Sequence, residues 1–327
     1  MSGTEPTEQD PTVSVVVTTY ERPERCKRAL RSVLAQTHDP AEIIVVEDAS
    51  DTDLEAWVAR EIPSATYVRH ETNEGLAAAR NTGLRLASGA FVAYLDDDDE
   101  WKPTRLEQQL ERVRTLEPRE SLGVVYCGVE RRTPDGETRS IALPENSGDL
   151  ASSIRAVGAS TLPSTCLFRT AALRDVGGFD ESLPSSIDHD IWMQLAVAGY
   201  AAEAIAEPLT ITYVSDRAQM TTDTESRIEG VRLYLEKWLP TYREWFGEAA
   251  GSAYAERYFA RVVGRLAGKK FVSGNFSEFL TATRAIFAFS TQHRYNCSVL
   301  ATYIGRYTAS RLLPTRAIVL LKRHSES

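Results

Sequence analysis

The chain has 327 residues, 43% hydrophobic and 25% charged, which excludes disorder as its main state and is enough to bury a sizeable core. Lys and Arg number 37 against 46 Asp and Glu, a net charge of −9. That balance excludes a general phosphate-backbone binder, because nucleic-acid affinity comes largely from basic side chains that neutralise phosphates.

Residues 1–12 (MSGTEPTEQDPT) are polar and acidic, and read as a disordered leader and not as a signal peptide. The β-branched run Val13–Thr18 reads as a buried strand, and Glu24–Gln36 as a helix with Cys26, Leu30, Val33 and Leu34 at helical spacing. Glu42–Glu47 reads as a second buried strand, Asp53–Arg60 as a short helix, Ala65–Arg69 as a short strand and Leu76–Ala87 as an Ala-rich helix. Ala90–Leu95 is a further strand that ends in four carboxylates. Strands alternating with helices over residues 13–95 predict βαβ units and a mainly parallel sheet. Beyond it, Leu106–Thr115 and Ile191–Ala198 read as helices, and Gly123–Glu130 and Leu167–Arg169 as strands. After about residue 225 aromatic-rich helical patterns dominate, which predicts a helical tail. Cys26, Cys127, Cys166 and Cys297 form no CxxC pair, so free buried thiols in a reducing compartment are expected, not zinc or disulfides. No apolar run reaches membrane-spanning length.

Ligands of parallel sheets sit beyond the carboxyl ends of the strands. Three strands here end in polar clusters: Thr18-Thr19-Tyr20-Glu21, Glu47-Asp48-Ala49-Ser50 and Asp96-Asp97-Asp98-Asp99. These clusters should share one crevice. Four adjacent carboxylates repel one another, and a divalent cation such as Mg²⁺ or Mn²⁺, bridged to substrate phosphates, supplies the counter-charge. Two other readings compete. Asp96, Asp98, Glu100 and Glu107 have the ligand spacing of a calcium loop, but Trp101 stands where that loop needs Gly. Asp96-x-Asp98 after a strand also resembles the aspartyl nucleophile of haloacid-dehalogenase-type phosphatases, which expect Thr or Val where Glu100 stands.

VSVVVTTYERPERCKRALRSVLAQT, EIIVVEDASDT, NEGLAAARNTGL, YLDDDDEW, RDVGGFDESL and IDHDIWMQLAVAGY, in this order over residues 13–215, resemble the successive motifs of family 2 glycosyltransferases. The resemblance implies an α/β GT-A fold, a Rossmann-like nucleotide-diphospho-sugar transferase domain over 13–220, with a nucleotide-binding half to residue 100, an acceptor half after it, and a helical extension over 221–327. It also implies an enzyme that transfers sugar with inversion from a nucleotide-sugar donor, a UDP-sugar being favoured, with Mn²⁺ or Mg²⁺ as cofactor. The alternatives are a non-catalytic relative that binds nucleotide-sugar or carbohydrate, and a metal-dependent phosphotransferase.

Carried over residue by residue, Thr18, Thr19, Tyr20 and Glu21 border the base and ribose, and Asp48, with Ser50 beside it, accepts a base N–H. Gly75 and Arg80 belong to the third motif, and Arg80 could pair with Asp48 or Asp96. Asp96 and Asp98 form the Asp-x-Asp element, Asp96 facing the ribose and both being metal ligands. Asp97 is kept as a donor residue because the run could slide by one position. Asp188 matches the general base, with Asp190 as the alternative. Gly177, Gly178 and Phe179 form a tight turn that places the acceptor loop, and Arg217 contacts the diphosphate. The acceptor implied is a glycan, a lipid-linked saccharide or a protein.

Residues 291–327 carry Arg294, Arg306, Arg311, Arg316, Lys322 and Arg323 against Glu326, with apolar residues between them. This segment suits peripheral contact with an anionic membrane face, and the expected location is cytoplasmic.

Overall fold

A computed structural model describes residues 11–116, 121–144, 146–157, 162–213 and 223–312. The continuous β-branched run Val13–Thr19 forms β1, with every residue buried. It is followed by α1 (Pro23–Leu34), β2 (Glu42–Glu47), α2 (Leu54–Glu61), β3 (Thr66–Arg69), α3 (Leu76–Leu86) and β4 (Phe91–Asp96). β1 pairs in parallel with β2 and β4, and β2 in parallel with β3. Strands buried on both faces need apolar residues at every position, which is why these read as runs and not as alternations. Val15, Val17, Val45 and Leu95 pack with Cys26, Leu30 and Val33 of α1 in the core on one sheet face.

After β4 come β5 (Asp99–Trp101), α4 (Arg105–Thr115), β6 (Leu122–Arg132), β7 (Thr138–Ala142), β8 (Gly148–Asp149), α5 (Leu150–Val157), a 3-10 turn (Pro163–Thr165), β9 (Cys166–Arg169), α6 (Thr170–Asp175), α7 (Ile187–Val197) and β10 (Ala201–Tyr213). The sheet runs β3-β2-β1-β4-β9-β6-β10-β5, with β7 on β6 and β8 on β10. The parallel expectation holds for the β3-β2-β1-β4 block. Beyond it β9 lies antiparallel to both β4 and β6, so the whole sheet is mixed. β10 has no counterpart in the sequence reading. Its Ala and Glu residues break the strand signal, and Pro208 sits at a register shift against β6, where a bulge tolerates the missing N–H.

The chain divides into two compact units, Met1–Ser182 with Ile187–Asp216, and Leu183–Ser186 with Arg217–Ser327. The second contains α8 (Thr224–Phe246), α9 (Glu248–Val272), α10 (Phe276–Phe289) and α11 (His293–Leu312), with α8, α10 and α11 each packed on α9. Gly268 lets α11 approach closely, since a Cβ there would lie 2.8 Å from the Tyr303 Cβ. Tyr234 and Tyr242 are buried and share a hydroxyl–hydroxyl hydrogen bond of 2.7 Å. No helix among the described residues is long and apolar enough to cross a membrane. All four cysteines are free; Cys26, Cys127 and Cys166 are buried as expected, whereas Cys297 is exposed. The proposed leader up to residue 10, and Arg316, Lys322 and Arg323 of the basic segment, lie outside the described residues.

Candidate active site

Because β1, β2 and β4 run parallel, their carboxyl ends fall on one edge of the sheet, and three cross-links tie them together. The Asp48 N–H donates to the Thr19 carbonyl at 2.9 Å. The Glu21 N–H donates to Ser50 Oγ at 2.6 Å, and Thr19 Oγ1 donates to Asp97 Oδ2 at 2.9 Å. The three polar clusters therefore meet at one edge of the sheet. Thr18, Thr19 and Ser50 are buried there, while Tyr20 is exposed. Glu21 and Ala49 take φ of 54° and 59°, a region that side chains favour little, so the local backbone is held there by the cross-links around it.

Asp48 is buried, and its carboxylate clamps the loop before α3. Oδ1 accepts from the Glu74 N–H at 2.8 Å and lies 2.9 Å from His70 Nδ1, while Oδ2 accepts from the Gly75 N–H at 2.8 Å. Gly75 has φ 89° and opens α3. Three of its roughly four lone-pair directions are filled by the protein, so a base N–H would have to take the remaining one.

β4 ends at Asp96, Asp97 and Asp98 make the turn, and Asp99 starts β5. The chain reversal sorts the four carboxylates. Asp97 and Asp99 point inward and are buried, whereas the side chains of Asp96 and Asp98 keep 24% and 27% of their surface. Asp97 accepts from Thr19, and burial pushes its pKa up to about 6 against the opposing pull of Arg22. It braces the turn through Thr19 and Arg22. Burial, with the Asp96 and Asp98 charges added, holds Asp99 well above the usual carboxylate range.

Arg80 is fully buried, with no exposed surface. Its Nη2 donates to Asp96 Oδ1 at 2.8 Å and its Nη1 to Asp188 Oδ1 at 2.7 Å. Burial works against the cation, but the two carboxylates outweigh it and hold the pKa above its ordinary value. Burial raises Asp96, and Arg80 opposes that rise. Of the two partners expected for Arg80, Asp96 is the one it takes; Asp188 is a partner the sequence did not indicate. α7 begins at Ile187, one turn earlier than its apolar spacing suggested, so Asp188 and Asp190 lie within its first turn. Asp188 reaches the surface, with 32% of its side chain exposed. Asp190 is fully buried and accepts from Gln194 Nε2 at 2.7 Å. Of the two candidate bases, Asp188 is thus the one that reaches the surface.

The third and fifth motifs interlock beneath this bridge. Asn81 donates through Nδ2 to the Phe179 carbonyl at 2.8 Å and accepts the Phe179 N–H at 2.9 Å. Gly177 and Gly178, at φ 83° and 77°, form the expected tight turn. It sets the Phe179 ring 5.2 Å from the Arg80 guanidinium carbon. Two further groups went unread. The Ser164 Oγ accepts the Asp96 N–H at 3.2 Å, and Trp101 Nε1 donates to the Ser164 carbonyl at 2.8 Å, so the 3-10 turn props the acidic run from below. Arg22 at the N-cap of α1, and Arg25 and Arg28 within it, face the run; their three-residue spacing is visible in the sequence. Arg217 lies outside the described residues.

Residues 14–176 match the family model described as glycosyl transferase family 2. An uncharacterized glycosyltransferase of Haemophilus influenzae is 26% identical over 238 residues, which cover 71% of this chain and 79% of the relative. The chain spans only 31% and 36% of the length of two other curated relatives. A mannosyltransferase of Pyrobaculum calidifontis, solved with GDP-Man and Mn²⁺, is similar at TM-score 0.57 and 20% identity over 95% of this chain and 83% of that one. Residues 1–349 of S. aureus TarS, solved with UDP-GlcNAc, are similar at TM-score 0.57 and 18% identity over 92% of this chain and 91% of that one. At such identities the likeness is one of fold, and the fold is GT-A.

Proposed function

The chain belongs to glycosyl transferase family 2, and we propose that it transfers a sugar, with inversion, from a nucleoside-diphosphate sugar to an acceptor hydroxyl, using Asp188 as general base. In this reading residues 13–220 are the catalytic domain and residues 221–327 a helical extension. The observation that carries the proposal is the Arg80 bridge, which ties the Asp-x-Asp element to the only half-exposed carboxylate of the first turn of α7.

The chemistry follows from that placement. Asp188 takes the proton of the acceptor hydroxyl as its oxygen attacks the anomeric carbon. The new carbon–oxygen bond forms on the face opposite the breaking one, and the electron pair of the broken bond leaves with the nucleoside diphosphate. Arg80 holds Asp188 in a fixed orientation, which is worth rate because near-attack geometry is lost with small displacements. Asp96, held by the same guanidinium, is left to meet the ribose.

The residues fit a divalent cation. Among the described residues no group of three or more His, Cys, Asp or Glu could hold a metal by itself. Mg²⁺ and Mn²⁺ are commonly held by one or two carboxylates with phosphate oxygens completing the shell, and Asp98, with Asp96 beside it, offers that set. Such a cation would stabilise the charge that develops on the departing diphosphate.

The relatives solved with ligands hold UDP-GlcNAc in one case and GDP-Man in the other, and Asp48 is committed to its own loop, so the base is left to experiment. The test is release of nucleoside diphosphate from a panel of UDP-, GDP-, dTDP- and CDP-sugars with Mn²⁺, wild type against Asp188→Asn. Turnover of one donor class, lost in the variant while thermal stabilisation by its nucleotide persists, is the expected result. Turnover that survives the substitution would remove Asp188 as base, and release of phosphate from simple phosphomonoesters would return the acidic run to phosphoryl transfer.

A further inference from the structure

Ile187 opens α7 and Asp188 follows it, so the backbone that enters α7 decides where that carboxylate stands. The four residues before α7, Leu183–Ser186, do not belong to the compact unit that holds the sheet and α7. They belong to the helical unit. Leu183, Ser185 and Ser186 are buried.

Within the helical unit Ser185 lies directly on Gly230 of α8. A Cβ on Gly230 would come 2.2 Å from Ser185 Oγ, 2.6 Å from its backbone nitrogen and 2.9 Å from its Cβ. Ser185 Oγ donates to the Arg227 carbonyl, one turn earlier on the same helix, at 3.4 Å. Glycine is a poor residue for a helix interior, and here the close approach of Ser185 requires it. Ser186 is unusual in two ways. Its φ is 68°, in the left-handed region that side chains disfavour. Its hydroxyl is buried and has no hydrogen-bond partner among the described residues. A serine just before a helix ordinarily takes an extended backbone and caps a free N–H with its side chain. Ser186 does neither. A strained φ and an unpaired buried hydroxyl at one residue persist only where the surroundings over-determine the backbone, and such residues gather at functional sites. The seat of Ser185 on Gly230 is the neighbouring contact that fixes it.

We propose that Gly230 and Ser186 are positioning residues for the transfer: α8 grips the chain at Ser185, Ser186 turns it at a fixed angle into α7, and Asp188 is thereby held against Arg80. The proposal rests on Asp188 being the base, and it gives the helical unit a part in the reaction.

The experiment compares full-length Gly230→Ala, Ser186→Gly and Gly268→Ala with wild type in urea unfolding, in affinity for UDP and GDP, and in nucleoside diphosphate release from the same donor panel. In folded Gly230→Ala turnover should fall about ten- to a hundredfold, as expected of a displaced reacting group, with nucleotide affinity unchanged. Gly268→Ala crowds Tyr303 inside the same unit and should leave turnover unchanged. Ser186→Gly relieves the strained φ and removes the unpaired hydroxyl, so its unfolding midpoint should not fall. Its turnover should nonetheless drop about tenfold, because the turn into α7 is no longer fixed. Activity lost without stability is not a packing effect, and this variant decides the matter even if Gly230→Ala does not fold. In the Arg80→Lys background, where the bridge to Asp188 is already broken, both substitutions should lose most of their effect on turnover.

Full turnover in Ser186→Gly or in folded Gly230→Ala, equal losses in Gly230→Ala and Gly268→Ala, or losses that multiply with that of Arg80→Lys would each overturn the inference while Asp188→Asn still identifies the base. If Asp188→Asn turns over like wild type, the base reading itself fails, and the inference with it.

Discussion

Arg80 and Asp188 meet across 108 residues of sequence, with Nη1 2.7 Å from Oδ1, while the other arm of the same guanidinium holds Asp96. One buried cation thus sets the distance between the carboxylate assigned to the donor and the carboxylate assigned to the acceptor. A guanidinium can do this because its donors form a rigid planar fork; an ammonium on a flexible stem offers no such fixed span.

Arg80→Lys therefore separates charge from geometry. Lysine keeps the charge, so the fold should survive with a loss of about 1–3 kcal/mol, but it cannot hold both carboxylates in register. Turnover should fall about a hundredfold, with a much smaller change in nucleotide affinity. Arg80→Met should cost more stability, about 3 kcal/mol, because Asp96 and Asp188 are left facing each other uncompensated. Urea unfolding and steady-state kinetics check both. Equal loss of nucleotide affinity and turnover in Arg80→Lys would place Arg80 with the donor alone.

Asp190→Asn should act on stability and leave donor affinity unchanged. The side chain is fully buried and Gln194 donates to it, so the substitution disturbs a buried contact inside α7. A loss of about 1–2 kcal/mol in chemical denaturation is expected, with nucleotide binding retained. Abolished turnover in a fully folded Asp190→Asn protein would restore it as a candidate base.

Asp48→Asn should loosen the entrance to α3. An amide has one acceptor oxygen where the carboxylate has two, so either the Glu74 or the Gly75 N–H loses its partner. Hydrogen exchange at these two amides should accelerate, by an amount corresponding to about 1–2 kcal/mol of local opening, and nucleotide stabilisation should weaken with it. Unchanged exchange would show that the loop is held by something other than Asp48.

The shared edge was legible because a parallel block declares itself through unbroken β-branched runs, and its carboxyl edge then follows from topology. Its internal assignments were not. Which two of Asp96–Asp99 face outward depends on where the chain turns, and four identical residues carry no mark of that. The Asp188 partner of Arg80 depends on how α7 docks against α3, a contact between segments with no local signature. Asp48 was carried over as a base-binding carboxylate from the family resemblance, and its service to the backbone N–H groups of the next loop has no signature in the sequence. The arginine stripe of α1 was visible at its spacing, yet a basic helix face is ordinarily a solvated one, and only the acidic run opposite gives it meaning. β10 was hidden by Ala, Glu and Pro, whose strand character comes from pairing with β6 and not from propensity.

Glu130 on β6 gives the first unit a pH dependence of defined sign. Hydrogen bonds from Arg132, then Lys102 and Thr138, lower its pKa from the ordinary 4.5 to about 2. A carboxylate depressed in the folded state adds stability that is fully present above its unfolded pKa, near 4.5, and is lost as the pH falls through the folded value, near 2. Its basic partners are about 30% exposed, so the gain at neutral pH is held to about 1–2 kcal/mol. Glu130→Gln should be less stable than wild type by that amount at neutral pH, and the gap should narrow as the pH falls below about 4.5 and close near pH 2. A gap that persists at low pH would assign the loss to packing in β6 and not to charge.

Gly178 tests the lock between α3 and the turn that carries Phe179. At φ 77° any side chain is strained, and a Cβ would lie 2.6 Å from Asn81 Oδ1, the atom that accepts the Phe179 N–H. Gly178→Ala should therefore cost about 2–4 kcal/mol, from left-handed backbone strain together with a displaced hydrogen bond. Combining it with Asn81→Ala removes the clashing atom but leaves the backbone strain, so the two losses should sum to more than the double variant shows, by about 1 kcal/mol. Because Phe179 lies against Arg80, Gly178→Ala should also lower turnover in the fraction that remains folded, through the position of Asp188. Strict additivity in the cycle, with turnover unchanged, would mean that the turn and the Arg80 bridge are independent.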